Sequence, residues 1–151
     1  MKRIIALLLA VMTVFALTAC GGKTTTVDAQ SLAKALAEKT AFESELTAVS
    51  KEELGYYFQL PAKCDAAAYM SSGSTAEEIF VIECYDGASA AALRTSMQDF
   101  LDSQKTEMER YLPAEVDRIN GAIFETYGTC VVLCVTSDTD TARSVIKEYV
   151  K

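Results

Sequence analysis

The chain has 151 residues, a formal net charge of −7 and no histidine. This acidic balance argues against a nucleic-acid partner, which needs a basic surface, and against electrostatic adsorption to anionic lipid. The absence of histidine removes the commonest general base and most catalytic triads, so carboxylates and tyrosines are left as candidate chemistry.

Residues 1–19 have the pattern of an export signal. Lys2 and Arg3 form a short cationic segment, and the apolar run 4–17 is too short to span a bilayer. The segment that follows, Leu17-Thr18-Ala19-Cys20, resembles the bacterial lipobox. The resemblance implies diacylglyceryl transfer to the Cys20 thiol and cleavage before Cys20, with fatty acids such as palmitate as the anchor.

The alternative is an ordinary signal peptide that contains a cysteine, but Cys20 directly follows the apolar run and precedes two glycines. Two acyl chains hold a protein stably on a membrane, whereas one chain is marginal. We therefore expect residues 20–27 to be a lipidated polar tether, and residues 28–151 to be one domain at the outer face of the cell membrane.

Two helices are predicted at the start of this domain. Asp28 is a good N-cap for a helix over 29–39, which has Leu32 and Leu36 on one face. The sequence 50–53, Ser-Lys-Glu-Glu, is a capping box that opens a short helix ending before Pro61.

A hairpin and the longest helix come next. Residues 64–71 and 78–85 have the composition of strands, and the intervening Ser-Ser-Gly-Ser is typical of a turn. The helix over 88–111 carries one apolar stripe, which we interpret as core rather than as a cofactor site. Pro113 then begins a short helix that ends near residue 119.

A second hairpin is predicted over 122–127 and 130–136, with Gly128 in its turn. Asp138 then caps a final helix over 139–150. The order predicts an α+β fold with a sheet of about four mainly antiparallel strands, made of two hairpins that are each followed by a helix. We expect the long and terminal helices on one face of this sheet and the two N-terminal helices on the other.

Four cysteines follow the lipobox, at positions 64, 84, 130 and 134. Export permits disulfides and four cysteines allow three pairings, but buried free thiols are the other interpretation. Strand alternation places Cys130 and Cys134 on one face about 13 Å apart, which is too far for a bond between them. No spacing among the four predicts a metal site.

The carboxylates give no clear catalytic pattern. Glu77 and Glu78 stand at a strand entrance, where solvated charge is the simplest interpretation. Glu83 and Glu125 lie inside apolar strands, so they either mark the wetter face of the sheet or begin a paired-carboxylate or cation site. The aromatic run 56–58 either clamps the short helix to the sheet or stacks on a sugar.

The chain from residue 27 onward resembles a family of short lipoproteins of Gram-positive bacteria, catalogued as domain of unknown function forty-three fifty-eight. The resemblance rests on these residues in order: Ala76-Glu77-Glu78-Ile79-Phe80-Val81-Ile82, Gln104, Tyr111-Leu112-Pro113-Ala114-Glu115, Asn120-Gly121-Ala122, Gly128, the run 131–135, and Ser137-Asp138. It implies no activity, ligand or catalytic residue.

We therefore expect a lipid-anchored lipoprotein of the cell envelope that binds a small ligand or an envelope protein, without catalysis, metal or cofactor. The candidate ligand surface is a groove between the sheet and the N-terminal helices, near Tyr57, Glu83, Tyr85 and Glu125. The alternative is a small envelope enzyme that uses these carboxylates and tyrosines. A transporter's solute-binding component is disfavoured by size, because two-lobed binding proteins are about twice as long.

Overall fold

A computed structural model of the chain describes residues 26–150. The predicted leader 1–19, the predicted lipid-attachment residue Cys20 and most of the predicted tether lie outside the described residues. Within residues 26–150, no helix is both long enough and apolar enough to cross a membrane.

The helices and strands follow the predicted order, with one addition. They are α1 (Ala29–Lys39), β1 (Thr47–Val49), α2 (Lys51–Leu54), β2 (Cys64–Met70), β3 (Glu78–Cys84), α3 (Gly87–Tyr111), α4 (Glu115–Asn120), β4 (Ile123–Tyr127), β5 (Cys130–Val135) and α5 (Thr139–Tyr149). Side chains of Asp28 and Asp138 cap α1 and α5, and the capping box at Ser50 opens α2, as predicted. Asp86 adds a cap at the start of α3.

The strands form one sheet of five antiparallel strands in the order β1-β2-β3-β5-β4. The two predicted hairpins are present and lie side by side through β3 and β5. The fifth strand, β1, was missed because three residues are too few to show the alternation that identifies a strand. It pairs with β2 and forms one edge of the sheet.

The turn between β4 and β5 has only two residues, since Tyr127 pairs directly with Cys130. Gly128 is the first of the two and has φ of 61°. A glycine with positive φ at this position is the pattern of a type II′ turn, whose twist matches that of the flanking strands. This turn fixes the register and hence which strand residues face each helical layer.

Helices cover both faces of the sheet, which buries two separate apolar layers. On one face, which we call the α3 face, buried residues of β3 and β5 pack against α3 and α2: Leu54, Phe58, Phe80, Ile82, Leu93, Met97, Leu101, Val131, Leu133 and Val135. On the opposite face, the α1/α5 face, the buried residues are Leu32, Leu36, Ile79, Val81, Ile123, Val132, Val145 and Ile146, among others.

Two placements of helices differ from the expectation. The terminal helix α5 packs beside α1 and not beside the long helix, and α2 packs on the α3 face through Leu54. An amphipathic stripe shows that a helix has a buried side but does not identify the surface it meets. The 25-residue α3 and the short α2 pack on one face of the sheet, and the stripe of α5 is buried on the other face beside α1.

The cysteine prediction is confirmed as far as the strand geometry tests it. Cys130, Val132 and Cys134 share the α1/α5 face of β5. Val132 therefore lies between the two cysteines on the same strand, and they are too far apart to bond to each other. Both are fully buried, and in this structure the four cysteines among the described residues are in the reduced form.

Candidate functional site

Glu83 lies on the α1/α5 face, as its strand phase predicted, and it is already hydrogen-bonded. Its carboxylate accepts the hydroxyl hydrogen of Thr129, and it accepts the N–H of Val27 at 3.4 Å. Val27 is buried immediately before α1. The Glu83 carboxylate therefore ties the backbone just before α1 to the sheet.

Glu125 points to the same side of the sheet and interacts with the C-terminal helix. Its carboxylate accepts from the Tyr127 hydroxyl and from the Arg143 guanidinium of α5. These bonds lower the pKa of Glu125, whereas burial and the same carboxylate raise the pKa of Tyr127 to about 12. The Glu125 carboxylate is thus an ionised anchor for α5.

The proposed groove that joins Tyr57 to Glu83, Tyr85 and Glu125 does not form. Tyr57 lies on the α3 side, where its ring meets Phe100 edge-on at 5.8 Å. Glu83 and Glu125 lie on the opposite side, and the exposed Tyr85 follows the end of β3. The expectation failed because α2 was assigned to the wrong face of the sheet.

Glu77 is buried, and its expected role as a solvated charge is wrong. The residue is 1% exposed, and its carboxylate accepts the N–H groups of Glu43 at 2.9 Å and Ser44 at 2.8 Å, with a further bond from the Thr75 hydroxyl. Buried backbone N–H groups need acceptors. Glu77 supplies them to the loop that connects α1 with β1.

Glu115 likewise accepts a backbone N–H, from the turn that precedes β3. Its carboxylate accepts the Ala76 N–H at 2.8 Å and pairs with Arg118, whose guanidinium also reaches Glu43. The two buried carboxylates therefore hold the entrance of β3 from both sides. Their role is structural, and nothing in the sequence around them distinguished it from a surface charge.

Glu78 is also buried, on the α3 face beside Gln104, so the expectation of a solvated charge is wrong here too. The Gln104 amide donates to Glu78 Oε2 at 3.3 Å, while Glu78 Oε1 and Gln104 Oε1 are buried and have no hydrogen-bond partner among the described residues. Burial raises the pKa of Glu78 to about 8. A protonated Glu78 can donate from Oε1 to Gln104 Oε1, which satisfies both remaining atoms as an acid–amide pair.

The sequence contained a signal for this pair. Glu78 has the same strand phase as the inward-facing Phe80 and Ile82, and Gln104 lies within the apolar stripe of α3. A polar residue on each of two facing apolar surfaces indicates that the two meet, because a buried polar group requires a partner.

Among the open concave surfaces of residues 26–150, a cleft beside β1 carries accessible aromatic side chains. We call it the β1 cleft; it has a volume of about 390 Å³ and is lined by Thr47, Ala48, Val49, Glu53, Tyr56, Tyr57, Met70, Ser71 and Ser72. Tyr56 is 87% exposed and Tyr57 is 46% exposed. Three separate segments of the chain meet here, so the cleft is concave and carries two accessible aromatic rings.

The local backbone explains why these two tyrosines are exposed. After α2, helical turns continue through the Tyr57 N–H to Leu54 carbonyl bond at 3.0 Å. Leu54 and Phe58, four residues apart in these helical turns, both point inward. The ring centroids of Phe58 and Phe80 lie 5.4 Å apart. Phe58 is therefore the clamp that the sequence suggested, and Tyr56 is left on the outside.

The β1 cleft also offers backbone groups. Within β2, the carbonyls of Cys64 and Ala66 accept from Lys51 and Gln30, so alternate residues of β2 direct their polar groups away from β3. Hydrogen-bonded and non-hydrogen-bonded pairs alternate along two antiparallel strands, and by this alternation Ala48 and Tyr69 form a non-hydrogen-bonded pair. The N–H and carbonyl of Ala48 consequently face outward at the open edge.

No group of three or more His, Cys, Asp or Glu side chains that could hold a metal ion occurs within residues 26–150. No curated protein and no solved structure matches the chain. The family model "Domain of unknown function (DUF4358)" matches residues 38–136, which run from the end of α1 to the residue after β5 and include the whole sheet. The chain therefore belongs to the DUF4358 family.

Proposed function

We propose that the protein is a lipid-anchored lipoprotein at the outer face of the cell membrane, and that its domain binds a small neutral envelope ligand, such as a cell-wall sugar, in the β1 cleft. The observation that carries the binding role is the pair of exposed tyrosines, Tyr56 and Tyr57, in a cleft of about 390 Å³. This volume lies in the usual range for small-molecule sites.

The candidate carboxylates are already hydrogen-bonded within the protein, which favours a binding function over catalysis. Glu83 and Glu125 are engaged by Thr129 and Arg143, and the one carboxylate that lines the cleft, Glu53, accepts from Ser50 in the capping box. A general base needs a free lone pair within reach of substrate. The envelope enzyme is therefore the weaker of the two proposals.

The chemistry of the cleft favours a sugar. A tyrosine ring presents a flat apolar face, which suits the C–H face of a sugar ring, and its hydroxyl remains available for hydrogen bonding. Thr47, Ser72 and the outward backbone of Ala48 supply further polar groups. The chain's net charge of −7 disfavours an anionic ligand.

An extended peptide is a poorer fit to the same edge. Strand addition draws its affinity from a row of backbone hydrogen bonds. The strand β1 has three residues, and Ala48 alone of them directs its backbone outward. A small ligand held by the rings and hydroxyls therefore accounts better for this surface.

Binding is tested by titrating the purified protein with neutral wall disaccharides while tyrosine fluorescence or heat is measured. We expect Tyr56→Ala to weaken binding at least tenfold. Tyr111→Ala is the matched control, since Tyr111 is 75% exposed at the end of α3 and outside the cleft. Equal affinities of the two variants would contradict the site.

Anchoring is tested separately with the full chain in a bacterial host. Cys20→Ser should shift the protein from the membrane fraction to the medium and remove the acyl mass from its N-terminus. An unchanged membrane fraction would contradict the anchor without affecting the binding proposal.

A further inference from the structure

Cys64 and Cys84 are direct cross-strand partners at the open end of the β2–β3 hairpin. The Cys84 N–H donates to the Thr129 carbonyl at 3.0 Å, on the side of β5. The backbone polar groups of Cys84 therefore point away from β2, which makes this rung a non-hydrogen-bonded one. Such rungs bring Cα atoms to about 4.5 Å, within the range of about 4.4–6.8 Å that a disulfide spans.

The two side chains lie on the same face of the sheet. Cys84 is 4% exposed within the apolar layer of the α3 face, and the partly buried Cys64 packs against that layer. The strands remain adjacent beyond this rung, because Lys63 Nζ lies 5.2 Å from the Tyr85 ring centroid. A bond between the cysteines thus requires side-chain rotation and no separation of the strands.

We propose that Cys64 and Cys84 are a disulfide-forming pair, oxidised in the exported protein. The oxidising location rests on the proposed function, since disulfides persist outside the cytoplasm. The capacity of the two thiols to bond rests on the strand register alone. The bond would close the open end of the hairpin, opposite its turn.

The remaining cysteines provide the contrast. Cys130 has Glu83 and Tyr127 as its cross-strand partners, and Cys134 has Ile79 and Ile123. Neither has a cysteine directly opposite it on a neighbouring strand, and both are fully buried. Cys130 and Cys134 should therefore remain thiols under conditions that oxidise the pair.

The reaction is an exchange with a donor disulfide, either oxidised glutathione in vitro or a thiol–disulfide oxidoreductase of the envelope. The more accessible Cys64, as thiolate, attacks the donor and forms a mixed disulfide, which releases one donor thiolate. Cys84 then loses its proton to solvent and displaces the second donor thiolate. The protein loses two protons and two electrons, and the donor becomes two thiols.

The test uses the full chain, isolated from membranes after free thiols have been alkylated, and a second sample equilibrated with oxidised glutathione. Peptide mapping without reduction should find Cys64 linked to Cys84, with Cys130 and Cys134 alkylated only after unfolding. Oxidation should raise the Tm of the wild type by about 10 °C. Cys64→Ser should abolish this redox-dependent rise, and Cys130→Ala should retain it.

Failure of the pair to link in oxidised glutathione, or a bridge to another cysteine, would overturn the proposal. A pair that links in vitro but is reduced in the protein isolated from cells would contradict the proposed location, and would leave the assignment of the pair intact. Cys64→Ser is the primary variant because Cys64 is only partly buried, so the variant is expected to fold.

Discussion

Replacement of Glu78 by glutamine should remove a specific pH dependence of stability. Glu78 is 1% exposed and burial raises its pKa from 4.5 to about 8, so the folded state holds a proton that the unfolded chain releases above pH 4.5. Its favourable contribution is complete below pH 4.5, falls as the pH rises, and is lost above about pH 8. The slope is at most about 1.4 kcal/mol per pH unit.

The Glu78→Gln side chain can satisfy the same atoms without a proton. Its carbonyl accepts from the Gln104 amide and its own amide donates to Gln104 Oε1, the atom that otherwise lacks a partner. The free energy of unfolding of Glu78→Gln should therefore exceed that of the wild type near pH 8, and the two should converge toward pH 4.5.

The assay is urea unfolding followed by circular dichroism at several pH values. Between pH 5.5 and 7.5, the wild type should lose up to about 3 kcal/mol relative to Glu78→Gln. Glu109→Gln, at an exposed position of α3, makes the same chemical change and should leave the wild-type slope intact. If the free energies of unfolding of the wild type and of Glu78→Gln change in parallel with pH, Glu78 is not protonated in the folded state.

Three further predictions concern the framework around the cleft. Glu77→Ala should destabilise the protein by about 1–3 kcal/mol, because the part-buried hydrogen bonds from the N–H groups of Glu43 and Ser44 to the buried carboxylate are lost, whereas exposed Glu45→Ala should have little effect in the same urea assay. Phe58→Ala should lower the free energy of unfolding by about 3–5 kcal/mol, because it leaves a cavity beside Phe80, whereas Tyr56→Ala should lower it by less than about 0.5 kcal/mol. Thermal melts compare the two variants. A chelator should leave the Tm unchanged, and a sharp fall would contradict a metal-free fold.

The sequence predicted those features that local chemistry determines. The cap at Asp28 and the capping box at Ser50 place helix starts because their side chains bond to nearby backbone. Gly128 marks a tight turn because its φ is positive. Alternation within β3 and β5 correctly separated the two faces of the sheet, since a strand has a period of two.

The remaining features depend on contacts between distant segments. The stripe of α5 did not reveal that it would share a face with α1, and Leu54 did not reveal that α2 would lie near Phe80. The burial of Glu77 depends on N–H groups of a loop more than thirty residues earlier. Consequently the candidate ligand surface retained Tyr57 but lost Glu83, Tyr85 and Glu125.

Backbone amide chemical shifts, followed during titration with a neutral wall disaccharide, locate the ligand on the domain. We expect saturable shifts at Ala48, Tyr56 and Ser72 around the β1 cleft, with α5 unaffected. Saturable shifts centred on Glu83 and Glu125, or none at any concentration up to the limit of solubility, would contradict a sugar-binding site at this edge of the sheet.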